Sequence, residues 1–178
     1  MSLFSFHEIS TLVHGIVFGG GFLLCFTGGL FLLLHIRAAS LTESGIRRCV
    51  RYLRGVTLVM ALFVWVAVLS GTYVSYPWYR AKPPEGVTDL SHYPRSYLKA
   101  DPDLAFWHTF GMEWKEHIAW LVPLLMTAVA FIVFRYGEQL ATDDQLRRAL
   151  ILLLILAFAA AGIAGTLGAL LTKAAPII

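Results

Sequence analysis

The 178-residue chain is 58% hydrophobic and only 14% charged, with a mean hydropathy of +0.71, which is more apolar surface than one soluble core of that length can hide. A soluble domain is excluded, and lipid is the expected solvent. The net charge of +3 and the pI near 9.0 come from residues in the connections between apolar stretches, with no long basic run, so membrane topology accounts for them and nucleic acid is not an expected partner.

Crossing the hydrocarbon takes roughly 20 apolar residues in a helix. Four stretches meet that length, and the chain is expected to be an all-α integral membrane protein, a single four-transmembrane-helix bundle. The first span is expected at 7–36. No Lys or Arg precedes it and it opens with Glu8, Ser10 and Thr11, so it reads as a retained helix and not as a cleaved signal peptide. It carries His7, Glu8 and His14 in its first half, followed by Gly15 and Gly19. The next connection holds Arg37, Arg47, Arg48, Arg51 and Arg54 against Glu43 alone.

The second span, 54–77, contains Gly71 and ends in Tyr76-Pro77-Trp78-Tyr79-Arg80, where aromatic rings suit the headgroup layer and proline stops the helix. The connection 78–104 is long enough to fold over the bundle mouth as a cap. Its Arg80, Lys82, Arg95 and Lys99 are balanced in number by Glu85, Asp89, Asp101 and Asp103. Cytoplasmic connections collect Lys and Arg, so both termini and the 78–104 connection are expected outside and the first and third connections inside. The compact loops suggest a bacterial inner membrane.

The third span, 105–135, opens with His108-Thr109-Phe110-Gly111-Met112-Glu113-Trp114-Lys115-Glu116-His117 before turning purely apolar. The third connection reads as an ordinary turn in which Asp143 or Asp144 caps the fourth span, 147–173. That last helix carries Gly162, Gly165 and Gly168, the small-residue pattern that lets helices approach closely in lipid.

Ionisable groups inside membrane helices are costly and point to function. At about 1.5 Å per residue, His14 and His117 fall at similar depths below the outer surface. At about 100° per residue, Glu113 and His117 share a ridge, whereas His108, Met112 and Glu116 form another. The expected site is therefore one b-type haem between the first and third helices. His14 and His117 would be its axial ligands, Gly15 and Gly71 would make room for the ring, and Arg80 would receive a propionate. A competing site uses His14, His117, Glu113 and Glu116 to hold iron, copper or zinc, with mixed nitrogen and oxygen ligands.

For His7, His108, Lys115 and Glu116, interfacial snorkelling or a polar network that fixes the bundle weighs at least as much as function. His35, near the inner face, has no partner for a second haem, and His92 has no role. Cys25 and Cys49 form neither a CxxC nor a CxxCH motif, and no nucleotide, zinc-protease or nucleophile motif occurs.

Four helices with intramembrane histidines are similar in architecture to small membrane-bound b-type cytochromes, although no motif points to a named family. Three functions follow as expectations. The first is an electron-transfer subunit that exchanges electrons with a redox partner such as a c-type cytochrome. The second is a cofactor-free accessory or assembly subunit of a respiratory or photosynthetic membrane complex, and the third is a non-haem metal protein.

Overall fold

A computed structural model describes residues 5–37 and 40–175. It is all-helical, and among the described residues no strand occurs. Four helical runs are long and apolar enough to cross a membrane: α1 (Phe6–His35), α2 (Glu43–Tyr79), α4 (Trp107–Ala141) and α5 (Asp144–Ala174). A short α3 (Pro94–Ala100) lies in the connection between α2 and α4.

Local signals explain most of the boundaries. Ser5 and Glu8 form a reciprocal capping box at the start of α1. Thr42 accepts from Gly45 N at the start of α2, and Asp143 accepts from the backbone of Gln145 and Leu146 at the start of α5. Proline occupies the first turn of α3. Two boundaries depart from the expectation by more than a turn: α4 runs on to Ala141 through a 3-10 stretch at Gly137–Ala141, and the start of α2 differs more. α2 begins at Glu43, so the arginine-rich stretch read as a connection is helical, supported by its threonine cap and a Glu43–Arg47 pair one turn apart.

α2 packs on α1 and on α4, and α5 packs on α4 and on α1. Consecutive helices are thus neighbours, and α1 and α4 stand diagonally opposed across the bundle. The core consists of Phe22 and Leu33 of α1, Leu53 and Met60 of α2, Met126, Val129 and Val133 of α4, and Leu150 and Leu154 of α5, all essentially enclosed. α1 is the least buried of the four spans. Leu24, Phe31, Leu62, Phe131 and Leu152 point outward, as an apolar bundle facing lipid requires.

The two ends of the bundle differ. One end, the arginine end, carries Arg47, Arg48, Arg51 and Arg54 on the first turns of α2. There Arg147, only 2% exposed, donates from Nη1 to Leu140 O at 2.9 Å and, at 3.5 Å, to Ile36 O, and also pairs with Asp144. One guanidinium thus closes the ends of α1 and α4. The other, the cap end, holds a second small core of Tyr79, Leu98, Met112 and Leu171, which seats α3 over the helices.

Candidate functional site at the cap end of the bundle

Three of the four spans widen from α- to π-helical geometry in their cap-end halves, at Val13–Gly20, Gly71–Ser75 and Trp107–Met112. Such bulges are rare and gather at functional sites. Each contains glycine, and His14 and His108 lie within two of them.

The last turn of α2 and the first turns of α4 meet in a polar network. Tyr76 Oη donates to Glu116 Oε2 at 2.9 Å. Arg80 Nη2 donates to Glu113 Oε1 at 3.2 Å and lies 3.6 Å from Glu116 Oε1, with its guanidinium 4.7 Å from the centre of the Tyr76 ring. Glu113 and Glu116 reach one arginine because residues three apart are neighbours on a helix. Arg80 Nε, Glu116 Oε1 and Ser75 Oγ are enclosed yet make no hydrogen bond.

His108 is 4% exposed and ties α3 to the bundle. Arg95 Nε donates to its Nε2 at 3.4 Å, and its Nδ1 lies 3.0 Å from Tyr79 Oη. With Nε2 accepting, the ring proton sits on Nδ1 and is donated to the tyrosine oxygen.

His14 faces α2, with Nδ1 3.1 Å from Ser70 Oγ. Ser70 Oγ itself donates to Ala67 O at 3.0 Å, so it accepts from His14 Nδ1–H and leaves Nε2 with a free lone pair. Gly71 lets the ring come close, because a Cβ at that position would stand 3.0 Å from His14 Cε1. Beside Gly15 there is open space.

The side chain that α4 turns into the bundle at this level is Lys115. It lies seven residues before Val122 and so shares its core-facing side, and it runs along Gly168 of α5, where a Cβ would come within 3.1 Å of Lys115 Cε. Among the described residues no carboxylate lies within 4 Å of its Nζ.

His117, two residues on and roughly 200° around the helix from Lys115, is exposed on the far side of α4. It donates from Nδ1 to Glu113 O at 2.6 Å, leaving Nε2 free. The same local bond joins His35 to Phe31 O at 2.8 Å, so it is a habit of helical histidine and no sign of ligation.

The structure thus brings Glu113 and Glu116 together on Arg80, and places His14 beside Gly71, but does not bring His14 and His117 to a common centre. No group of three or more His, Cys, Asp or Glu side chains arranged to hold a metal occurs among the described residues. Tyr79, Arg95, His108 and Lys115 join the site from outside the expected set. His7 stacks on Trp78 with ring centres 4.9 Å apart, closing α1 against the end of α2.

No family model, curated protein or solved structure matches the chain.

Proposed function

We propose that the chain is a subunit of a larger membrane complex, and that a second transmembrane polypeptide covers the face of α4 bearing Thr109, Glu113 and His117. One observation carries this reading: His117 is exposed about 15 Å along α4 from Trp107, at 1.5 Å per residue, and among the described residues its Nε2 has no partner. Glu113 and Thr109 lie on the same ridge one and two turns nearer the cap, and the Glu113 side chain is 43% exposed. An imidazole is too short to reach water from that depth, and polar groups turned to hydrocarbon are costly. A neighbouring helix that supplies hydrogen-bonding side chains removes that cost. In this reading the arginine end faces the cytoplasm and the cap end the opposite compartment.

A second reading, electron transfer through one b-type haem, has a separate support in His14. Its Nδ1–H is fixed by Ser70, and among the described residues its Nε2 has no hydrogen-bond partner. Arg80, now held by Glu113 and Glu116, is the expected propionate partner. The haem would supply one-electron transfer. With His117 on the far face of α4, the second axial ligand is not preassembled within this chain. Glu113 and Glu116, engaged by Arg80 and Tyr76, give the non-haem metal reading no comparable support.

Native electrophoresis of gently solubilised source membranes tests the first reading. The chain is expected in a band well above its own 19.8 kDa plus detergent, containing a second membrane polypeptide. Migration as a lone chain contradicts it. A reduced-minus-oxidised spectrum of that complex tests the second: Soret and α bands that disappear in His14→Ala support it, and a featureless spectrum from haem-replete cells removes it.

A further inference from the structure

The connection between α2 and α4 looks neutral when its charges are counted, but in space they separate. Arg80, Lys82, Arg95 and Lys99, together with Ser96, line one concavity of about 340 Å³ between the end of α2 and the cap helix α3. Asp89 and Asp101 line another, with Thr88, Ser91 and Tyr97, on the other side of α3. Among the described residues no acidic side chain borders the basic concavity.

Arg80 is neutralised from within by Glu113 and Glu116. Lys82, Arg95 and Lys99 are not: among the described residues none of them has a carboxylate within 4 Å. Arg95 spends only Nε on His108, so both of its terminal nitrogens remain available. Three unopposed cations around one hollow repel one another, although Glu85, Asp89, Asp101 and Asp103 in the same connection could have paired with them. The arrangement is held in place, because Pro94 and Leu98 of α3 are buried and the Arg95–His108–Tyr79 chain fastens the helix to the bundle.

We infer that this concavity binds a phosphate group, with Lys82, Arg95 and Lys99 as its ligands and the Ser96 hydroxyl beside them. Arginine forks and lysine ammonium groups are the usual partners of phosphate oxygens. The height suits a phospholipid: the concavity opens immediately beyond Tyr79, at the end of the Tyr76-Pro77-Trp78-Tyr79 stretch, and such aromatic residues favour the headgroup layer where lipid phosphates lie. This inference is independent of the haem and of the α4 partner.

The test uses the full chain in a neutral detergent, with phosphatidylglycerol and phosphatidylcholine as lipid probes followed by native mass spectrometry, and sodium phosphate as the free anion followed by calorimetry. The Lys82→Gln/Lys99→Gln variant removes two exposed cations and leaves the Arg95–His108 bond intact. Asp89→Asn/Asp101→Asn is the matched control, and helical circular dichroism confirms that each variant is folded. The expected result is retention of phosphatidylglycerol over phosphatidylcholine, weakened roughly 25-fold in the lysine variant at about fivefold per cation, and unchanged in the control. Binding of sodium phosphate with the same sensitivity, without lipid preference, supports the site and assigns it to a free phosphate. Equal phosphatidylglycerol retention by wild type and the lysine variant, or no binding of either phosphate probe above phosphatidylcholine, overturns it.

Discussion

Replacing Arg147 with methionine removes the one side chain that joins three helix ends. Methionine keeps the length and apolar stem but no donor, so Leu140 O loses a 2.9 Å bond and Ile36 O a weaker one at 3.5 Å, both in an enclosed place. A buried carbonyl left unpaired costs about 1–3 kcal/mol. The ion pair with Asp144 adds little, because that carboxylate is 65% exposed and screened. The stronger bond dominates, and the expected loss is about 2–4 kcal/mol. Reversible unfolding in mixed micelles measures it, with the exposed neighbour Arg148→Met as control, expected within about 0.5 kcal/mol of wild type. Asp144→Ala is expected to cost less than about 1 kcal/mol. If Arg147→Met is as mild as Arg148→Met, the guanidinium is not closing those helix ends and the reasoning fails.

Close approach at the arginine end gives a second case. A Cβ on Gly137 would stand 2.6 Å from Cγ1 of the buried, branched Val50, so Gly137→Ala should destabilise by about 1–3 kcal/mol, while Gly55→Ala, with open space, should be neutral or slightly stabilising in the same unfolding assay. His108→Ala removes the hydrogen bond that Arg95 of α3 makes to the bundle, and limited proteolysis within 80–104 should quicken roughly tenfold, the equivalent of one lost buried hydrogen bond; an unchanged rate means that the burial of Pro94 and Leu98 holds the cap by itself. Lys115→Met replaces an inward-facing cation without a carboxylate partner by an apolar side chain of similar volume, and the variant should unfold no more easily than wild type; a marked loss of stability would reveal a partner for the ammonium group.

The four spans were legible because their signal is an average over some 20 residues that no single side chain can overturn. The start of α2 was less legible, because hydropathy marks where lipid begins and says nothing about a helix that continues into water. Thr42 and the Glu43–Arg47 spacing carried that information, but they stand among arginines that read as loop.

At the site, facing was not resolved by phase within one helix. The shared ridge of Glu113 and His117 was real, yet which way it points depends on the rotation of α4, set below it by Val122, Met126 and Val129. Projecting that core-facing side back toward the cap end selects Lys115, and this projection was the available signal for it. His108 and Tyr79 lie far apart in sequence, and only the folding of α3 over the bundle brings Arg95 to them. The balanced charge count of the connection likewise concealed its separation into basic and acidic hollows.

The most direct test of the proposed function is a photo-crosslinking residue, p-benzoylphenylalanine, placed at position 117 and irradiated in intact source membranes, with the same residue at Leu152 on the lipid-facing side of α5 as control. The account predicts a discrete protein adduct from position 117 and none from position 152. Lipid adducts alone at both positions would show that the α4 face lies bare in the bilayer and would contradict the account.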